Sequence, residues 1–473
     1  MNKLKLFLEN FFVYGLGGAI SKIVPLIMVP IVTRLMPDSS YFGLSDLSST
    51  IVSFGSALAV MGMYDAMYRM FFEKDDPDFQ KEVCSTTVFF TLLAALVVSV
   101  GIYVLRKPLS VLVFGSEDYI YLVCLSAAAT FVSATNGIVC APTRMQNKRK
   151  IFLVMNTASP VLSYALAVYL LLQGHYIIAL PVASVLSGIT CEIIFLLLNQ
   201  KWFSIRKVRV EYLKPLLTIA IPLLPNFLIY WIFHSCDRLM LTALIGTSAT
   251  GIYAVSAKLG QVSQLIYTAF AGGWQYFAFS TMKEKNQVET NSRIFEYLGI
   301  LSFSATVFTF SLSEPIFGWL FPEEYHVGFL AAPYLFLAPL LLMLYQVIGN
   351  QFLIIKKTWP TMLILSGGAM VNVFLNWYLI PSLGVEGAAL ATLSGYAVSV
   401  VICSVVLCRM KLMVVTKKFL IASTVMLAFI ILWRFVLISS VLWSIVASFL
   451  CCAIFALLYR RDLGYFFKGS AEM

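Results

Sequence analysis

Charge is what this chain has least of. Only 12% of its 473 residues are Asp, Glu, Lys or Arg, about half the share found in an ordinary soluble domain. So little charge cannot cover a globule of this length with polar surface, which excludes a soluble enzyme, and an apolar share of 60% excludes a disordered scaffold. Histidine is equally scarce, with only His175, His234 and His326, and the HExxH, GxSxG and Walker A signatures are missing. No enzyme activity, catalytic residue, bound metal or cofactor is therefore expected. Without an ATP site, any transport would run on a gradient or on the downhill path of the cargo itself. The nine cysteines fall nearly all in apolar runs, with no CxxC pair, and read as small hydrophobes rather than disulfide partners or metal ligands.

What is present is one apolar run after another. About fourteen runs, at 11–33, 45–68, 83–105, 119–141, 151–172, 176–199, 216–241, 250–278, 295–313, 329–355, 359–380, 387–408, 419–438 and 441–459, are long enough to cross a hydrocarbon core of about 30 Å. The connections are too short to hide an extramembrane domain. The opening MNKLKLFLEN leads into a span without a small-residue cleavage site, so it reads as a retained first helix rather than a signal peptide. This is the pattern of an all-α polytopic membrane protein.

The formal net charge of +10 reports topology, not nucleic acid. With the N-terminus inside, 26 of the 33 Lys and Arg residues lie on cytoplasmic segments. Five lie outside, at Arg34, Arg106, Lys107, Arg238 and Arg434, and Lys22 and Lys258 lie within spans. That asymmetry follows the positive-inside rule, places both termini in the cytoplasm and requires an even number of spans.

The chain also repeats. The first and seventh spans each carry a proline pair, Pro25/Pro30 and Pro222/Pro225, expected to break them. Arg34-Leu35-Met36 is answered by Arg238-Leu239-Met240, and Gly43 and Gly251 each open the span that follows. Leu186-Ser187-Gly188 is answered by Leu393-Ser394-Gly395, and Arg149-Lys150 by Lys356-Lys357. The expected organisation is a six-helix lobe over 1–199, a cytoplasmic linker over 200–214, a second six-helix lobe over 215–410, and two further helices with a tail over 411–473. Six is even, so both lobes run in the same direction, an arrangement used by alternating-access transporters with the site between the halves.

Charges inside spans cost about 2.5–3.5 kcal/mol each on insertion scales and so need a partner or a wet cavity. Lys22 lies mid-span beside Gly15, Gly17, Gly18 and Ser21, and Lys258 lies in the outer half of the eighth span. Both are expected to line a cavity. Asp65 and Arg69 share a helix face, while His234, Asp237 and Arg238 cluster near the outer end of the seventh span and Glu192 lies in the sixth. The plain reading makes Asp65/Arg69 and Asp237/Arg238 structural ion pairs, His234 an interhelical hydrogen bonder and Glu192 the partner of a neighbouring helix. The sharper reading is a hydrated cleft with cationic points that receives an anionic head group.

The stretch LKPLLTIAIPLLP at 213–225, with DRLML at 237–241 and GIYAVSAKL at 251–259, resembles the polysaccharide (Wzx-type) flippase branch of the multidrug/oligosaccharidyl-lipid/polysaccharide exporter (MOP) superfamily. So do GLGGAISKIVPLIMVPIVTRLMPDSSYFGLSDL at 15–47 and TRMQNKRK at 143–150. The likeness covers roughly residues 10–410. It implies a V-shaped, two-lobed, MATE-like helical protein that moves undecaprenyl-diphosphate-linked oligosaccharide repeat units across a bacterial cytoplasmic membrane for O-antigen, capsule or exopolysaccharide synthesis. The implied partners are that glycolipid, membrane lipids, and the polysaccharide polymerase and chain-length machinery. On this basis Lys22, Arg69, Arg238 and Lys258 would meet the diphosphate or acidic sugars, and Asp65, Glu192, His234 and Asp237 would support them or couple a cation. Drug exporters of this fold commonly carry a coupling acid in the N-terminal lobe, often in the first helix. This first helix carries Lys22 and no acid after Glu9, which favours an anionic cargo over a drug. The alternatives are a peptidoglycan-precursor flippase, a cation-coupled drug antiporter, and a polytopic polymerase or ligase. The last would need a large outer loop with catalytic arginines, and the connections 106–118 and 314–328 are short.

Overall fold

Helix follows helix because little in this chain can stop one. The computed structural model describes residues 22–267, 270, 274, 278, 281–282, 284–357 and 359–462, and every regular element among them is helical. Twelve helical segments among the described residues are long and apolar enough to span a bilayer. The expected first and eighth spans, 11–33 and 250–278, lie partly outside the described residues. The chain is thus the polytopic all-helical protein its composition predicts.

Two compact units divide the chain, Met1–Ala254 and Val255–Met473. In the first, α1 covers residues 22–35, followed by α2 (Ser39–Val60), α3 (Met63–Phe71), α4 (Pro77–Val104), α5 (Arg106–Phe114) and α6 (Ile120–Val139). Then come α7 (Ala141–Met145), α8 (Arg149–Leu172), α9 (Ala179–Asn199), α10 (Leu213–Ala220) and α11 (Leu224–Leu244), while α12 (Thr247–Gly260) runs across the boundary. Starts are marked by side-chain caps: the Asp38 carboxylate accepts the Ser40 N–H at 2.8 Å, and Asp76 caps α4 with Pro77 in its first turn. The stop between α2 and α3 uses Met61 and Gly62 at φ 47° and 78°. A side chain at Gly62 would stand 2.8 Å from the Ala220 carbonyl oxygen, so both conformation and space demand glycine there.

The two proline pairs behave differently. At Pro222 and Pro225 the helix is interrupted by a 3-10 turn, Ile221–Leu223, that separates α10 from α11. In α1 the helix continues through Pro25 and Pro30, so the expected break in the first span is not found among its described residues. Each proline removes one backbone donor, a loss that membrane helices tolerate when neighbouring groups satisfy the freed carbonyl.

Ala59, Ala95 and Ala134 form one buried contact among α2, α4 and α6, where small side chains let backbones approach. A second core, rich in flexible methionine (Met63, Met67, Met70 and Met145), fills the junction of α3, α4, α7 and α10. The expected linker 200–214 lies inside the first unit and is held to α4. The Arg209 N–H donates to Thr86 Oγ1 at 2.9 Å, the Ser204 N–H donates to Ser85 Oγ at 3.1 Å, and Lys207 pairs with Asp78 at 3.1 Å.

The second unit contains α13 (Gln287–Leu320), α14 (Ala332–Ile354), α15 (Trp359–Leu383), α16 (Val385–Arg409), α17 (Lys417–Leu432) and α18 (Val441–Leu458). Buried carboxylates bind its last two helices to the others. Glu296 of α13 accepts the Thr416 N–H at 2.7 Å, the Thr416 hydroxyl at 2.9 Å and the Tyr459 hydroxyl at 2.9 Å. Glu386 of α16 pairs with Arg434, beyond α17, at 2.6 Å. All nine cysteines are free.

Candidate functional site

A polar network among the described residues of the first unit joins α2 to α11 and α12. Arg238 of α11 forms an ion pair with Asp46 of α2 and donates a second hydrogen bond to the His234 carbonyl oxygen. Its guanidinium also lies 5.7 Å from the Tyr253 ring centroid. The buried Asp237 carboxylate accepts the Tyr253 hydroxyl instead. The expected Asp237/Arg238 pair is therefore replaced by two interhelical contacts. The reason is geometric: adjacent helical residues point about 100° apart, so they do not face each other. Farther along α2, Trp231 Nε1 donates to Ser53 Oγ at 3.2 Å, and its ring packs on Phe54 at 4.7 Å between centroids.

Beside that ion pair the starts of α2 and α12 cross backbone to backbone. A side chain on Gly43 would stand 2.1 Å from the Thr247 carbonyl oxygen, and one on Gly251 would stand 1.9 Å from that of Ser39. The Ser39 and Ser248 hydroxyls meet at 2.5 Å. The contact is reciprocal: Ser39 and Gly43 of one sequence repeat meet Thr247 and Gly251, the same spacing in the other. Such small-xxx-small pairs are how membrane helices approach most closely.

The other expected residues are dispersed. Asp65 and Arg69 are both exposed on α3, and among the described residues no ion pair joins them. They occupy the first and last turns of that helix, where each complements the helix dipole by itself, and an exposed pair gains little from closing. Glu192 on α9 is half-buried beside the Thr135 hydroxyl. His234 has an exposed side chain on α11. Lys22 in α1 and Lys258 in α12 are both half-buried, Lys258 falling in the second unit.

Two cavities bear on a lipid-linked or polar ligand. In the first unit, a cavity of about 470 Å³ opens among α2, α6, α8 and α9, with Ser133, Asn136, Ser163 and Ser184 in its wall. In the second, a groove of about 530 Å³ runs along α13, α14, α16 and α17, lined by residues such as Phe303, Leu341, Val400 and Met426, with Arg409 at one end. Its apolar wall matches the chemistry of a hydrocarbon chain.

Sequence reasoning missed Asp46, Tyr253, Glu296, Glu386 and the serine cavity. The three acids had a usable signal, because a carboxylate in or beside an apolar run demands a partner. The serines had almost none, since single hydroxyls barely alter the hydropathy of a span.

These features define a polytopic helical membrane protein with a polar cavity, an apolar groove and ion pairs inside its spans. A family model described as "Polysaccharide biosynthesis protein" matches residues 31–328, more than half of the chain, and the chain belongs to that family. A search of curated proteins finds no match. Among solved structures, the chain is similar to the lipid II flippase MurJ in an inward closed conformation, with TM-score 0.75 and 14% identity over 96% of this chain and 99% of that one. It is also similar to a multidrug resistance MATE family transporter of the MOP superfamily in an inward-facing conformation, with TM-score 0.61 and 12% identity over 83% and 94% of the two chains. A MOP superfamily transporter from Pyrococcus furiosus aligns with TM-score 0.57 and 14% identity over 86% and 96%. At these identities the likeness is one of fold. The polysaccharide branch read from the sequence agrees with the matched family, and the expected all-helical fold agrees with the similar structures.

Proposed function

We propose that this protein is a flippase that carries undecaprenyl-diphosphate-linked oligosaccharide repeat units across the bacterial cytoplasmic membrane by alternating access. It makes and breaks no covalent bond. The observation that carries this reading is the reciprocal crossing of Ser39–Gly43 with Thr247–Gly251. By the positive-inside orientation it closes the outer ends of these helices. A closure made of backbone and small side chains can part with little polar rearrangement, so that the Asp46–Arg238 pair is the main charged contact to be exchanged. Polysaccharide biosynthesis as the family supports a glycan cargo, and the apolar groove beneath Arg409 suits part of a polyprenyl chain.

Lys22, Arg69 and Lys258 are the cations proposed to meet the diphosphate or acidic sugars, and Arg238 would join them when released from Asp46. Glu192, Asp65, Asp237 and His234 are the groups proposed for support or cation coupling. Both termini would be cytoplasmic, and the polymerase and chain-length machinery would receive the product.

A second reading, a flippase for the peptidoglycan precursor, is favoured by one observation, the TM-score of 0.75 to MurJ across nearly the whole chain. One experiment separates them. In a strain deleted for this chain, mass spectrometry of the lipid extract should find undecaprenyl-diphosphate oligosaccharide accumulating while surface glycan disappears. Accumulation of peptidoglycan precursor with loss of viability would transfer the assignment to the second reading.

A further inference from the structure

Five serines line the cavity among α2, α6, α8 and α9, and one of them, Ser187, donates to Ser159 O at 2.9 Å. Several threonines of the same helices turn back on their own backbone: Thr130 donates to Ser126 O at 2.8 Å, Thr157 to Leu153 O at 2.9 Å and Thr190 to Leu186 O at 2.8 Å. This is the ordinary way to hide a hydroxyl in a membrane helix. Ser133, Ser163 and Ser184 do not do so, and among the described residues they make no hydrogen bond, although all three line the cavity. Ser133 and Ser184 are exposed and Ser163 half-buried. The fourth polar group, Asn136, donates one amide hydrogen to Gly188 O at 3.3 Å, leaving its carbonyl oxygen and second hydrogen for the cavity.

Ser133, Asn136 and Ser163 come from the central parts of their spans, 117–145 and 150–172, and Ser184 lies in the second turn of the span 179–202. A hydroxyl left unbonded against hydrocarbon costs about 1–3 kcal/mol, so three hydroxyls turned toward one space mark it as wet. The volume of about 470 Å³ falls in the range of small-molecule sites, about 300–1,000 Å³, and is far larger than one ion or water needs. No charged or aromatic side chain lines it, and Glu192, one helical turn beyond Gly188, is outside the wall. A charged ligand would find no counter-ion there. A ligand bearing several hydroxyls on a compact ring would find donors and acceptors at four points and an aliphatic floor at Val132 and Val185.

We propose that this cavity is the subsite for an uncharged, hydroxyl-bearing sugar of the cargo, and that Ser133, Asn136, Ser163 and Ser184 select the glycan while cations elsewhere take the diphosphate. The proposal rests on the flippase reading and adds to it where the neutral part of the cargo is recognised.

The test uses the full-length protein in lipid nanodiscs and two probes. One is the undecaprenyl-diphosphate oligosaccharide extracted from the deletion strain, and the other is undecaprenyl diphosphate without sugar. Binding of each is measured by native mass spectrometry. Ser133→Ala/Ser184→Ala should weaken the glycolipid about tenfold, as the loss of two hydrogen bonds predicts, and leave the sugar-free lipid unchanged. Ser163→Leu, which fills the cavity without removing a structural bond, should give the same pattern. Unchanged glycolipid binding in both variants, or equal losses for the two probes, would overturn the subsite. Wild-type protein that binds the two probes equally would also overturn it, whereas wild-type protein that binds neither would overturn the flippase reading itself. Retained binding of the sugar-free lipid shows that each variant is folded.

Discussion

Replacing Arg238 by alanine would leave the Asp46 carboxylate without its cation in a site where only 10% of the side chain is exposed. Breaking one side of such a buried pair typically costs about 3–5 kcal/mol. Thermal unfolding of the purified protein should show a large fall for Arg238→Ala and a smaller one for Asp46→Ala/Arg238→Ala, because the double variant strands no charge. Equal falls would mean that the pair contributes nothing specific. A similar contrast applies to glycine. Gly43→Ala pushes a methyl against the Thr247 carbonyl, whereas a methyl on Gly101 meets nothing within 4 Å. The first should destabilise by about 1–3 kcal/mol through overpacking. The second should be neutral or slightly stabilising, since alanine is the better helix former. Both glycines are equally visible in the sequence, and only their surroundings tell them apart.

Among the elements, α17 depends most plainly on a single side chain. Its Thr416 cap and the Tyr459 hydroxyl after α18 both bond to Glu296 of α13, and bonds to a charged group contribute about 1.5–3 kcal/mol each. Glu296→Ala should therefore loosen the connection 410–416 before global unfolding, seen as faster limited proteolysis there. Cleavage at the wild-type rate would mean that apolar packing alone seats α17. The existence of these helices was legible from hydropathy, because an apolar run of this length has almost no other option in a bilayer. Their mutual pairing was not, since Glu296 and Thr416 lie 120 residues apart and no local period connects them. The proline pairs make the same point. A helix broke at Pro222/Pro225 and continued past Pro25/Pro30, two outcomes from the same residue pair.

At the scale of the whole molecule, the distribution of Lys and Arg makes a prediction independent of any cargo. A fluorescent protein fused after Met473 should light up and an alkaline phosphatase at the same point should stay inactive, as a cytoplasmic C-terminus requires. The opposite pattern would invert every inside and outside assignment, including the outer placement of the Ser39–Gly43 crossing. The repeat was legible at this scale too. Gly43 and Gly251 were paired by sequence position before the structure placed them against each other.

Composition and order alone pointed to a polytopic helical membrane protein and to the polysaccharide family that the chain belongs to. Those properties depend on runs, periods and local motifs, which a one-dimensional chain carries in full. Tertiary structure decided which charges meet, pairing Arg238 with Asp46 rather than with its neighbour Asp237, and which hydroxyls were left facing a cavity. Polar groups in a low-dielectric interior must find partners wherever the helices bring them within about 3 Å, and that proximity is set by packing between distant segments.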